Sequence, residues 1–321
     1  MDTTTKFILT AVLIVCSAAA GYMARRNRLV PETIAGPIMT LIVVFGYSSV
    51  GFFAIWSRDV TGQDAWLPTL GIIQAGIMAG LGILIAAMLG MKQAQRGLFG
   101  LSATVGNAGF TMGGFLLFLM YGERGLALAS IYCLMWYPMV VFLLYPVGRH
   151  YCPGAAREPL WRLMCRSLFH WRSIGLPMML GGLILSLVDV PYPSVISEWE
   201  IVEIIVFSVI ILAYFSIGLR LRFSHLLELK RMILSLALVR FGLSTLVALG
   251  LYALTLLTPW GMDDVHRNVI IIEASVPMAV TNVAVANMFG LKPKEASMLF
   301  VANTGMYLVL VLPIIAAVFG G

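Results

Sequence analysis

Val105-Gly106-Asn107-Ala108-Gly109-Phe110 stands in the middle of one apolar run, residues 98–120. Glu273-Ala274-Ser275-Val276-Pro277, with Asn282 just beyond, interrupts a second run, residues 267–289. Each run is long enough to cross a bilayer, which takes about 20 mostly apolar residues. A helix breaker at membrane depth leaves backbone N–H and C=O groups without partners, and lipid tails supply none. Such breaks persist only where protein buries them or where they line a polar cavity. Two of them, in corresponding places of two chain halves, point to the binding site of a carrier.

The composition around these runs agrees with a membrane setting. Of 321 residues, 60% are hydrophobic and 11% are charged, against about 25% charged in soluble domains. Mean hydropathy is +0.94. The chain is expected to be an all-α polytopic membrane protein. Ten transmembrane helices are placed at 6–23, 32–56, 67–90, 98–120, 125–148, 173–189, 199–219, 232–258, 267–289 and 295–319. The first run lacks a small-residue cleavage motif before Arg25-Arg26, so it reads as a span, not a removed signal peptide. Cys16, Cys133, Cys152 and Cys165 show no CxxC spacing, and neither a disulfide framework nor a metal motif is expected. His150, His170, His225 and His266 fall in or beside loops and are read as solvated tips. No phosphate loop and no nucleophile–base pair appears, so no enzyme activity and no cofactor is expected.

Orientation follows from the placement of Lys and Arg, which favour cytoplasmic loops. The odd-numbered connections carry 16 of these residues. The opposite side carries four, Lys6, Arg58, Arg124 and Arg267, and Arg240 lies inside a span. Both termini are therefore expected outside, in a multi-pass protein of the cell membrane. The net charge of +6 is a topology signal and implies no nucleic-acid partner. The longest polar stretch, 149–172, is read as a cytoplasmic linker or an amphipathic helix on the inner leaflet.

The two broken runs end alike, in Met120-Tyr121-Gly122 and Met288-Phe289-Gly290. Near the same offset, Ala129-Ser130 matches Ala296-Ser297 and Pro146 matches Pro313, 167 to 168 residues apart. The expected organisation is a first five-span repeat, 1–148, the linker, 149–172, and a second five-span repeat, 173–321. Five is odd, so the second repeat enters the membrane inverted. Asn107 then falls opposite Ser275, and the breaks in spans four and nine meet near the midplane.

Each break creates half-helix ends. Their N-termini offer free N–H groups and partial positive charge, suited to a carboxylate. Pro277 lacks an amide hydrogen and releases a carbonyl near Glu273. Small residues also serve plain helix packing, and that is the preferred reading of Gly113-Gly114. Glu203, Arg240 and Glu273 are ionisable residues within spans. Glu203 sits near a span end. Arg240 and Glu273 are placed to reach each other, and a structural ion pair is the expectation for Arg240. Glu273 is read either as a coupling-ion residue or as a structural partner.

Val105 to Phe110, with Tyr121-Gly122-Glu123-Arg124-Gly125-Leu126-Ala127-Leu128-Ala129, resembles spans four and five of the auxin efflux carrier family. Glu273 to Asn282, followed by Ala286 and Gly290-Leu291, resembles the ninth span of its bacterial members. The resemblance covers both repeats. It implies the fold of bile-acid/sodium symporters: a scaffold of spans 1, 2, 6 and 7 beside a transport domain of spans 3–5 and 8–10. Two broken helices cross in the transport domain, which slides like an elevator. Substrates implied are organic anions, auxin in plants and malonate or malate in bacteria.

Two positions depart from the family pattern. Met112-Gly113-Gly114 stands where the family usually has a proline after the asparagine. Pro277 stands where a sodium-coordinating glutamine is expected four residues after Glu273.

The resulting expectation is a secondary carrier of a small mono- or dicarboxylate. Asn107, Ala108, Gly109, Phe110, Ser275, Pro277 and Asn282 are its expected substrate-binding residues. Glu273 is its expected coupling residue, for a proton or sodium. Alternatives are a sodium-coupled bile-acid-type symporter and a non-transporting sensor or scaffold. The expected partners are the anion and the lipid bilayer, with a homodimer as candidate assembly.

Overall fold

The computed structural model describes residues 3–109, 112–154, 159–221, 226–258 and 261–319. Among these residues the chain is helical, and its one piece of β-type pairing is an isolated antiparallel bridge between Gly106 and Met278. The helical stretches run in chain order: α1 Thr3–Arg26, α2 Glu32–Trp56, α3 Gly62–Met88, α4 Gln93–Thr104, α5 Gly113–His150, α6 Leu160–Leu168, α7 Gly175–Leu187, α8 Ile201–Arg220, α9 Lys230–Thr255, α10 Asp264–Ser275, α11 Val280–Met288 and α12 Pro293–Phe319. Of these, α2, α3, α5, α8, α9 and α12 are long and apolar enough to cross a membrane. α7 is apolar but shorter, at 13 residues.

α5 is two legs joined at Gly122, whose φ of 61° breaks the helix. A side chain at that φ would crowd its own backbone, so glycine is the residue that fits. Gly290, between α11 and α12, has φ 66°. These two glycines are 168 positions apart. The wide π-helical turns at Val140–Leu144 in α5 and Tyr307–Val311 in α12 are 167 apart. The offset read from the sequence thus recurs in backbone geometry. A further wide turn, Leu238–Leu243, carries Arg240 within α9.

Two sets of neighbours are linked where α2 packs on α5. α1 lies along α8, and α2 lies against both α7 and α8. Their closest approaches are at glycine: a methyl group on Gly218 would sit 2.1 Å from the Ala18 carbonyl oxygen. Where lipid is as apolar as the core, such close backbone contact is what holds helices together. In the other group α3 packs on α4, α10 on α5 and α9, and α11 on α12.

Within the 149–172 stretch, α6 is a short helix that buries Leu163 and leaves Trp161 exposed. Ser167 donates from its hydroxyl to Tyr145 Oη at 3.0 Å, tying α6 to the end of α5.

Candidate functional site: a crossing of two interrupted helices

α4 ends at Thr104 and α5 begins at Gly113; α10 ends at Ser275 and α11 begins at Val280. Residues between these ends run past each other and pair. The Asn107 amide donates to the Pro277 carbonyl at 2.6 Å, and the Ala279 amide donates to the Val105 carbonyl at 3.2 Å. Asn282 Nδ2 donates to the same Val105 carbonyl at 2.9 Å. The Met278 amide donates to Asn303 Oδ1 at 2.8 Å. Backbone groups that lipid would strand are satisfied by the opposite break, as burial at membrane depth requires.

The C-terminal carbonyls of α4 and α10 need donors too, because the last turn of a helix has no intrahelical partner for them. Arg240 supplies these donors. Its Nη1 donates to the Ala103 carbonyl at 3.1 Å. Its Nη2 donates to the Ala274 and Val276 carbonyls at 3.2 and 2.9 Å. Ser244 Oγ also donates to Ala274 at 2.9 Å, and Gln74 Nε2 donates back to Ser244 Oγ at 3.0 Å. A guanidinium between two converging helix C-termini also meets the negative ends of both dipoles. Arg240 and Glu273 form no ion pair. The expected pair is replaced by a brace on carbonyls, because the wide turn in α9 brings the guanidinium to helix ends, where acceptors are plentiful.

Glu273 lies at this junction and is 2% exposed. Its carboxyl rests on Gly113, where an added methyl would lie 2.0 Å from Oε2. The Gly109 amide faces it, yet neither carboxyl oxygen has a hydrogen bond of good geometry. Glu273, Arg240, Gln74, Thr104 and Tyr132 line a cavity of about 10 Å³, room for about one water molecule. Asn282 Oδ1 and Asn303 Nδ2 are also buried without partners. Buried polar atoms left open in this way cost stability unless something binds them.

The structure brings most of the expected site residues to this one place. Asn107 is 7% exposed. Ala108 is half-buried, and Gly109 is buried with φ 88°. Pro277 and Asn282 sit in the pairing itself. Ser275 turns its hydroxyl back to the Ile272 carbonyl at 2.9 Å within its own helix. Phe110 lies outside the described residues. α5 and α11 begin here without a side-chain cap; the Gly114 amide donates to the Gly109 carbonyl at 2.7 Å and the Asn282 amide to the Ala279 carbonyl at 3.1 Å. Sequence reading missed Gln74, Ser244 and Asn303. All three are neutral polar residues inside apolar runs, a fainter signal than a charge or a helix breaker.

A larger cavity of about 590 Å³ lies between α2 and α8 on one side and α11 and α12 on the other. Val280, the first residue of α11, lines it, so it reaches the crossing.

A second polar cluster sits at the start of α3 and α10. His266 Nδ1 lies 2.7 Å from Asp263 Oδ1, and Nε2 lies 2.8 Å from Asp64 Oδ1. His266 is 1% exposed, so it is not the solvated tip expected from its place beside a loop. Two flanking carboxylates make burial tolerable, since an imidazolium can donate from both nitrogens. Arg58 pairs with Asp64 at 3.2 Å, and Arg124 pairs with Asp263. Burial works against charge on His266, but hydrogen bonds and charge from Asp64 and Asp263 outweigh it and raise its pKa. For Asp263, burial is outweighed by hydrogen bonds and charge from His266, then by Arg124, and its pKa is lowered.

A raised His pKa adds stability that is fully present below the unfolded value, about 6.5, and is lost as pH rises through the folded value. A lowered Asp pKa adds stability present above about 3.9 and lost in acid. The melting-temperature gap between wild type and His266→Gln is therefore expected to be widest between about pH 4 and 6.5. It should shrink in alkali. A gap that stays constant from acid to alkali would contradict the buried imidazolium.

The sequence profile of a family described as membrane transport protein matches residues 7–316. No curated protein matches the chain closely enough to add a relative. The matched family transports solutes and is not enzymatic. With a match over nearly its whole length, the chain belongs to the auxin efflux carrier family of membrane transport proteins.

Proposed function

We propose that this membrane transporter is a secondary carrier of a small organic anion. The observation that carries the reading is the crossing, where α5 and α11 start without side-chain caps beside buried polar atoms without partners. Uncapped helix N-termini attract carboxylates. Asn107, Ala108, Gly109, Phe110, Pro277 and Asn282 hold the anion there, with Ser275 supporting the α10 end. Glu273 is the coupling residue, and its unpartnered carboxyl takes up a proton or a sodium ion.

In the same proposal, ten spans form two inverted five-span repeats in the cell membrane, with both termini outside. The recurring offset of Gly122 with Gly290, and of the two wide turns, supports this. α1, α2, α7 and α8 are the scaffold, and the remaining spans slide against it as an elevator. The 590 Å³ cavity between the two groups supports a state open on the arginine-rich side.

Asn107→Ala tests the site. Its backbone amide, which pairs with Pro277, is retained, so folding should survive while transport falls at least 100-fold. Carboxylate uptake into vesicles, together with the melting temperature, reads both quantities. Normal uptake by this variant would remove Asn107 from the site. A sodium dependence of uptake would identify the coupling ion as sodium, and a pH-gradient dependence would identify it as a proton.

A further inference from the structure

The connection from α5 to α7 carries a surface that the crossing does not use. Residues 149–172 hold five arginines and one glutamate. Within them, α6 is fastened along one face. Leu163 is buried, and the Ser167 hydroxyl donates to Tyr145 Oη at 3.0 Å. Ser173 Oγ donates to the Ser167 carbonyl at 2.6 Å. Tyr145 in turn packs on Phe289 at the end of α11, with ring centroids 6.2 Å apart. At about 100° per residue, Leu160, Leu163, Met164 and Ser167 share the fastened face. The opposite face is split. Trp161, Cys165 and Leu168 make an exposed flank that is mainly apolar, and Arg162 and Arg166 make an exposed basic flank beside it. Phe169 and Trp171, 89% and 59% exposed, carry aromatic surface past the helix end. Arg162 forms no ion pair among the described residues, and its guanidinium lies 5.3 Å from the centre of the Trp161 ring.

We propose that this outer face of α6, with Phe169 and Trp171, is a docking surface for anionic phospholipid in the adjacent leaflet. Position argues for a bilayer. α5 is long and apolar enough to span and ends at His150, and α7 begins at Gly175. Six residues separate Leu168 from Gly175, a reach of about 20 Å at full extension. α6 therefore stays at the level where these helices end. Chemistry argues for anionic lipid. Exposed Trp, Leu and Phe beside arginine is the make-up of helices that lie in the headgroup layer. The arginine fork matches a phosphate group and donates two parallel hydrogen bonds to it. A lipid with net negative charge adds an attraction that a zwitterionic lipid lacks. Because α6 is tied to Tyr145, and Tyr145 packs on Phe289, docking fixes the ends of α5 and α11 against the leaflet. The inference needs a membrane protein but no particular solute, so it stands or falls apart from the carrier reading.

The test uses the full chain in vesicles of phosphatidylcholine and phosphatidylglycerol, with one lipid or the other brominated on its acyl chains. Bromine quenches tryptophan fluorescence on contact, and the Trp161 signal is the difference between wild type and Trp161→Phe. At low salt the relative binding constant for phosphatidylglycerol over phosphatidylcholine should be about tenfold or more. It should fall about fivefold in Arg162→Gln, the weight of one basic residue near an anionic surface. Arg162→Lys keeps the charge and should keep most of the preference. Near 1 M salt the preference should shrink to within about twofold of unity. The melting temperature should be higher with phosphatidylglycerol than without it, and Arg162→Gln/Arg166→Gln should close that gap.

Equal quenching by the two lipids at low salt would overturn the anionic preference. No quenching of Trp161 by either lipid would place α6 off the bilayer and overturn docking in favour of a protein-facing surface. A preference that survives both Arg162→Gln and the double variant would belong to other charges and overturn this site. Loss of the preference on adding inorganic phosphate at constant ionic strength would make the arginines a small-anion site and overturn lipid docking. A melting-temperature gap that persists in the double variant would overturn the fixing of α5 and α11.

Discussion

Arg240→Ala is expected to lower the stability of this protein by about 3 kcal/mol or more. The side chain is 1% exposed and donates to carbonyls of Ala103, Ala274 and Val276. These belong to two different helix ends. Truncation strands the Ala103 and Val276 carbonyls at membrane depth, each worth about 1–3 kcal/mol when left unpaired, while Ala274 keeps its bond from Ser244 Oγ, and the costs will not simply add. In a chain of this size that corresponds to a fall in melting temperature of roughly 6 °C or more. Arg240→Lys should recover part of the loss. A single ammonium keeps the charge between the helix ends but lacks the planar fork that reaches both sides. Thermal unfolding of the purified protein measures both variants. An alanine variant that melts like wild type would show that the crossing holds without the brace.

Gly113→Ala is the second large effect, and it bears on function. The new methyl would lie 2.0 Å from Glu273 Oε2 and 2.4 Å from its carboxyl carbon, so the carboxyl must move. The neighbouring cavity of about 10 Å³ offers little room for that. Overpacking of this kind costs about 1–3 kcal/mol, and displacing a positioned group by an ångström can reduce turnover on the order of 100-fold. The expected result is a modestly less stable protein with transport near background. A cycle with Glu273→Ala separates the causes. If the clash with the carboxyl is responsible, Gly113→Ala should cost almost nothing in the Glu273→Ala background, a coupling of about 1–2 kcal/mol. Equal cost in both backgrounds would place the strain in the backbone of α5 instead.

Gly113 shows why part of this site was hidden from sequence reading. As a residue type beside Gly114 it looks like helix-packing material, and nothing in its neighbourhood names Glu273 as its contact. The contact spans 160 positions and exists only because α5 and α10 pack together. The same holds for Arg240. Its burial was legible, since a charge inside an apolar run must find partners. Its partners were not. A carboxylate within reach was the natural guess, but the wide turn at Leu238–Leu243 aims the guanidinium at helix ends. His266 was misjudged for a related reason. Its loop neighbourhood suggested solvent, while its acceptor Asp64 comes from 202 positions away.

What the sequence determined by itself is the helical, membrane-embedded character and the two places where helices stop. Those follow from local physics. Apolar length sets a span, and glycine and proline interrupt it. Tertiary structure alone decided how the breaks are satisfied. Val105 to Asn107 pair with Pro277 to Ala279, Arg240 braces both helix ends, and Glu273 is left buried with no good partner. Hydrogen-bond satisfaction at membrane depth is a condition on the whole assembly. A sequence can reveal that stranded backbone groups need partners, but which donor reaches them depends on how distant helices pack.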